Sequence, residues 1–129
     1  MKTKILILIS IWFFISAKLL SLEITNNAAV FKVTEATYIK VVDGNFGNNA
    51  DGTLILEHNS SIIVDKDIKN FGTVILTNTL DYNESFIETK QDYINSGSTF
   101  INPFSKLLVR RNVINSGFIS NMYLIEIGE

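Results

Sequence analysis

The sequence writes Ile-Asn-Ser-Gly twice, at 94–97 and again at 114–117, and both copies belong to a longer pattern. Gly52, Gly72, Gly97 and Gly117 are spaced by 20, 25 and 20 residues. With each glycine as origin, Leu54, Val74, Thr99 and Ile119 lie two places on, and Leu56, Leu76, Ile101 and Asn121 lie four places on. Ten places before the last three glycines stand Ile62, Ile87 and Leu107; eight places before stand Val64, Thr89 and Val109. Two places before stand Asn70, Asn95 and Asn115, with Ala50 breaking the column in the first copy. The columns alternate with period two, the period of a strand and not of a helix.

A unit of strand, Asn-x-Gly corner, strand and return cannot bury its apolar face alone. Stacked units can, because like columns fall on like columns. The repeat therefore predicts an all-β chain: a short parallel β-solenoid, a right-handed β-helix of about four coils. Asn70, Gly72, Asn95, Gly97, Asn115, Gly117 and Gly52 are its structural corners. The glycines are expected to supply a backbone shape that side chains resist, and the asparagines to bond neighbouring backbone or stack as an amide ladder. The polar stretch 77–85 reads as a loop, which accounts for the 25-residue spacing. The segment Asp43–Gly52 reads as a first corner with extra residues, Ala36–Val42 as a strand, and Asn26–Thr37 as a first strand or an irregular cap. The alternative is an antiparallel β-sandwich. Its hairpins favour two-residue turns such as Asp43-Gly44 and Asp51-Gly52, but a sandwich has no reason to repeat its columns.

The N-terminus carries an export pattern: Lys2 and Lys4, an apolar run from Ile5 to Ile15 broken only by Ser10, then the small pair Ser16-Ala17. The run is shorter than the roughly 20 apolar residues of a membrane span, and Lys18 ends it. Residues 1–17 are read as a cleaved signal peptide and 18–129 as one solenoid domain, secreted or displayed at the cell surface with no stable membrane span. There is no cysteine, so a disulfide framework, thiol catalysis and a lipid-modified cysteine are excluded. A chain of net charge −2 that then loses two lysines has no basic footprint for nucleic acid.

The unit "SIIVDKDIKNFGTVIL", echoed by "KLLVRRNVINSGFIS", resembles the Asn/Gly/Thr-rich repeats of secreted and surface β-solenoid proteins of Gram-negative bacteria, among them large adhesins and autotransporter-like passengers. The resemblance covers about Ala36 to Asn121. It implies a right-handed parallel β-helix and export, and it carries over no catalytic residue.

Candidate chemistry is sparse. His58 is the single histidine, in a polar turn, and is expected to be solvated. Asp43, Asn45, Asn49 and Asp51 crowd one segment and suggest an oxygen-ligand calcium site; the plainer reading is an exposed turn. Lys106, Arg110 and Arg111 form the basic cluster; on a strand, neighbours such as Arg110 and Arg111 face opposite sides. Glu84, Glu88 and Asp92 invite comparison with glycosidase carboxylates, but their spacing fixes no distance. Asp65 and Asp67 read as strand-edge charges. Asn59 and Asn83 head glycosylation sequons, which matter only in a eukaryotic secretory host. Of the aromatics Phe46, Phe71, Tyr93, Phe100, Phe104 and Phe118, Phe100 falls on the face opposite the core and is expected to pack under the 77–85 loop. No cofactor, metal or catalytic residue is expected. The expected role is non-enzymatic: surface interaction, adhesion or scaffolding, with a surface polysaccharide or protein as partner. A β-helix carbohydrate-binding or carbohydrate-active module is the alternative. The C-terminal edge strand, within 122–127, lacks guarding Lys or Pro and is expected to self-pair or be capped.

Overall fold

The computed structural model describes residues 23–34, 36–78, 84–121 and 124–128. The expected signal peptide lies outside these residues, as does the tip of the 77–85 loop. The described chain forms fifteen short strands, and they wind as a parallel β-solenoid. The first coil holds β1 (Glu23–Asn26), β2 (Val30–Val33) and β3 (Tyr38–Val41). The second holds β4 (Asn45–Asn48), β5 (Thr53–Glu57) and β6 (Ser61–Val64). The third holds β7 (Ile68–Asn70), β8 (Thr73–Thr77) and β9 (Ser85–Thr89). The fourth holds β10 (Tyr93–Asn95), β11 (Ser98–Ile101) and β12 (Ser105–Val109), and the last β13 (Val113–Asn115), β14 (Phe118–Asn121) and β15 (Leu124–Ile127).

Every strand pairs in parallel with its counterparts one coil away, giving three five-stranded sheets: β1-β4-β7-β10-β13, β2-β5-β8-β11-β14 and β3-β6-β9-β12-β15. Five rungs span about four turns. The columns read from the sequence are the columns of the register: Leu54 faces Val74 and Leu56 faces Leu76, Ile62 faces Ile87, and Ile87 faces Leu107. These residues point inward and form the core together with Phe46, Ile68, Tyr93, Ile101 and Val109. Each fully buried Ile or Leu stabilises by about 1.5–3 kcal/mol relative to its exposed state. Parallel strands suit β-branched side chains that stack on their own kind, which is why Ile, Val and Leu recur here.

Thr99 and Thr89 are polar residues buried in apolar columns, and both are satisfied. Thr99 Oγ1 donates to Asn95 Oδ1 at 3.1 Å and lies 2.7 Å from the Tyr93 hydroxyl. With its single proton committed to Asn95, Thr99 receives the proton of Tyr93. Burial pushes the Tyr93 phenol well above its usual range. Thr89 Oγ1 donates to the Lys66 carbonyl at 2.5 Å and accepts from the Gln91 amide at 3.2 Å.

The repeat begins earlier than the glycines announce. Asn26–Thr37 is neither a lone strand nor an irregular cap: it carries the end of β1, all of β2 and the turn into β3 of a complete first coil. Likewise Asp43–Gly52 is not one long corner, because Asn45–Asn48 is strand β4 with a corner on each side.

Candidate functional site

All seven corner residues named from the sequence lie between the first and second sheets. The asparagine side chains there form one continuous ladder. Asn26 Nδ2 donates to Asn48 Oδ1 at 2.9 Å, Asn48 to Asn70 at 2.8 Å, Asn70 to Asn95 at 2.7 Å and Asn95 to Asn115 at 2.8 Å. Each Nδ2 also reaches a carbonyl one coil on: Thr53 O, Thr73 O, Ser98 O and Phe118 O. Asn48, Asn70 and Asn95 are fully buried, so both ends of each amide need these partners. Ala50 does not break the column. The residue in register is Asn48, because this corner runs Asn48-Asn49-Ala50-Asp51-Gly52, two residues wider than Asn70-Phe71-Gly72.

The glycines are required by close approach and not by backbone angle. None of the four takes a positive φ. A Cβ on Gly72 would run into Gly52 O, one on Gly97 into Gly72 O, and one on Gly117 into Gly97 O. Each glycine thus makes room for the coil before it.

A second polar ladder, not foreseen from the sequence, lines the corner between the third and first sheets. The Asp67 amide donates to Asn45 Oδ1 at 3.1 Å, the Asp92 amide to Asp67 Oδ1 at 3.2 Å, and Asn112 Nδ2 to Asp92 Oδ1 at 2.9 Å. Its sequence signal is an Asn or Asp directly before the first inward residue of β4, β7, β10 and β13. Asp67 is therefore a corner cap, not a strand-edge charge.

The charged residues suspected of chemistry are joined coil to coil. Lys106 Nζ lies 2.5 Å from Glu84, Arg110 Nη2 2.9 Å from Glu88, and Lys90 Nζ 2.6 Å from Asp65. Arg111 grips Asp92 with two bonds, Nε to Oδ1 at 2.9 Å and Nη2 to Oδ2 at 2.7 Å. The hydrogen bonds from Arg111 and then from Asn112 hold the Asp92 carboxyl below its usual value, against desolvation. The Lys90 ammonium does the same for Asp65, helped by the Asp43 amide. Arg110 and Arg111 sit at a corner, where strand alternation does not apply, and both point to carboxylates one coil back. Glu84, Glu88 and Asp92 therefore each face a cation.

The proposed calcium ligands do not converge, because Asp43 precedes β4 and Asp51 follows it. His58 is half-buried in the turn after β5, with Nδ1 3.5 Å from Asn78 Oδ1. This turn is tight: Ala36, Asn59 and Phe104, at one register position in three coils, all take left-handed φ near 55–59°. Beneath it Ser60, Ser85 and Ser105 stack in the interior, and their hydroxyls make no hydrogen bond among the described residues.

Two aromatic features face outward. Phe100, 36% exposed, packs against Phe118 with ring centroids 5.7 Å apart, on the outer face of the second sheet. Its described ring contact is thus with the next coil. Phe71, 47% exposed, borders a cavity of about 550 Å³ lined by Asn27, Ala28, Asn49, Ala50 and Asp51. The two wide corners form a ledge over the Phe71 ring, tied by the Asn49 Nδ2 to Asn27 Oδ1 bond. In later coils the Phe71 position holds Ser96 and Ser116, which bond each other at 3.0 Å.

The architecture defines the class: a parallel β-solenoid with an axial asparagine ladder. Comparison with protein families, curated proteins and solved structures finds no match for this chain.

Proposed function

We propose that the chain is an exported, non-enzymatic β-solenoid that works through its outer surface, in adhesion-like interaction or as a scaffold. One observation carries this reading. Lys90, Lys106, Arg110 and Arg111, and Lys32 with Glu57 at 2.9 Å, each pair with a carboxylate on the adjacent coil. Glu84, Glu88, Asp92, Lys106, Arg110 and Arg111, the charged groups that suggested chemistry, are all taken up in these contacts between coils. What faces outward is a set of repetitive sheet faces, a geometry suited to extended partners. Export is supported by the N-terminal pattern of Lys2, Lys4 and the apolar run after them. The test is hydrogen–deuterium exchange on the protein recovered from outside the cell, with and without a panel of surface polysaccharides. The reading expects uniform strand protection, with ligand effects confined to outward residues. Turnover of a polysaccharide would sink it.

The Phe71 ledge favours a second reading, a carbohydrate-binding module. An exposed ring beside two amides and the Asp51 carboxylate offers a sugar both an apolar face and hydrogen-bonding partners. Phe71→Ala is then expected to abolish polysaccharide binding while leaving the melting temperature unchanged. Binding that survives the substitution would exclude the ledge.

A further inference from the structure

The corner between the first and second sheets departs from its own repeat around one cavity. The fourth and last coils turn there through Asn95-Ser96-Gly97 and Asn115-Ser116-Gly117. The second coil adds Ala50 and Asp51, and the third puts Phe71 where those coils carry serine. Ala50, Asp51 and Phe71 all line the same cavity of about 550 Å³. In a stack of like units, insertions that the stacking does not require gather on the face that binds.

The charge at this ledge has one sign. Asp51 is exposed, and its carboxylate takes part in no ion pair or hydrogen bond among the described residues. By contrast, Glu57, Asp65, Glu84, Glu88 and Asp92 each hold a Lys or Arg of the adjacent coil. The Phe71 ring, 47% exposed, packs on no other ring among the described residues. A bare aromatic face presents the negative side of its quadrupole. The Asn49 Nδ2 to Asn27 Oδ1 bond leaves Asn49 Oδ1 to accept and Asn27 Nδ2 to donate. Ala28 and Ala50 add methyl groups, and no described Lys or Arg lines the cavity. Lys69, the cation nearest in sequence, alternates with the buried Ile68 and Asn70, so it lies on the outer face of the first sheet, in register with Gly47.

We infer that the ledge takes a sugar carrying a free, protonated amine, a hexosamine unit of a deacetylated polysaccharide. The inference rests on the reading of this ledge as a carbohydrate site and names the class of sugar. The C–H face of the sugar packs on Phe71 and the two methyls. The ammonium lies at the margin of the ring, within reach of Asp51 and Asn49 Oδ1, and all three groups favour positive charge. Asn27 Nδ2 donates to a sugar hydroxyl. Acetylation of the amine removes the charge and leaves a single N–H. An acidic sugar would bring its carboxylate against Asp51 with no lining cation to offset it.

Calorimetric titration of the purified protein tests this with tetrasaccharides of glucosamine, N-acetylglucosamine and glucose. Each variant is first checked for a wild-type strand spectrum. The glucosamine tetramer is expected to bind about tenfold or more tighter than the other two, with an advantage that shrinks as salt is raised. Asp51→Asn is expected to bring it down to the level of the neutral sugars. Glu23→Gln, which removes an exposed carboxylate at the far end of β1, is expected to change nothing. Equal binding of the three sugars, a preference that survives Asp51→Asn, or an equal loss in Glu23→Gln would overturn the inference and leave the ledge as a sugar site. Binding of none of them, or binding untouched by Phe71→Ala, would overturn the carbohydrate reading of the ledge and the inference with it.

Discussion

At the scale of single residues, this protein separates polar groups that hold coils together from polar groups that do not. Asn95 is buried, gives its amide to Asn115 and Phe118 O, and receives protons from Asn70 and Thr99. Asn95→Ala removes all of these at once and is expected to cost about 2–4 kcal/mol in chemical denaturation, since buried partners lose their bonds. Ser105 is equally buried, but its hydroxyl satisfies nothing among the described residues. Ser105→Ala is expected to leave stability unchanged or raise it by up to about 1 kcal/mol in the same assay. Titration offers a third test. The folded-state pKa of Asp92 is depressed by Arg111, so the pair stabilises the fold above the ordinary carboxylate pKa of about 3.9. That stability is lost as pH falls through the lower, folded value. Arg111→Gln is expected to lower the melting temperature at neutral pH and to flatten its fall below about pH 4. Parallel wild-type and variant curves through that range would rule out the pair as the source of the acid sensitivity.

At the scale of elements, corners decide what the strands can do. The sequence made the tight corners legible because Asn-Phe-Gly and the two Asn-Ser-Gly turns repeat one spacing. It hid the wide ones. Asn48-x-x-x-Gly52 shifts the asparagine by two places, and the first coil has Ala29 where later coils need glycine. The physical reason is local. Each later glycine avoids the carbonyl of the coil before it, and no described coil precedes β2, so nothing there demands glycine. The Asn/Asp ladder at the other corner was hidden for a different reason: its members differ in charge, and only register shows that Asn45, Asp67, Asp92 and Asn112 form one column. The extra width of the second corner is not needed for stacking, since it already sits on a tight neighbour at Asn70–Gly72. Deleting Ala50 and Asp51 is therefore expected to leave a folded protein whose melting temperature moves by no more than about 5 °C, while removing much of the ledge above Phe71. A collapse of the strand spectrum would show that the wide corners brace each other.

At the scale of the whole molecule, stability is shared between coils and not within them. The sheet pairings, the Asn ladder and the described ion pairs all run along the axis, so each coil depends on its neighbours and the core is a stack of layers. The inward columns, and with them the parallel β-solenoid, could be read from alternation alone. The charged residues could not, because partners 19–25 residues apart meet only once the coil length is known at every turn.

That coil-to-coil register is the central claim, and the absence of native cysteine makes it directly measurable. Ser96 and Ser116 are exposed corner residues whose Oγ atoms lie 3.0 Å apart on adjacent coils, a placement that suits a disulfide. With Ser96→Cys and Ser116→Cys combined, mild oxidation is expected to give near-complete intramolecular crosslinking without loss of the strand spectrum. Phe71→Cys with Ser116→Cys, two coils apart, is expected to give none. Failure of the adjacent pair to crosslink, or equal crosslinking of the distant pair, would contradict the stacking of coils described above.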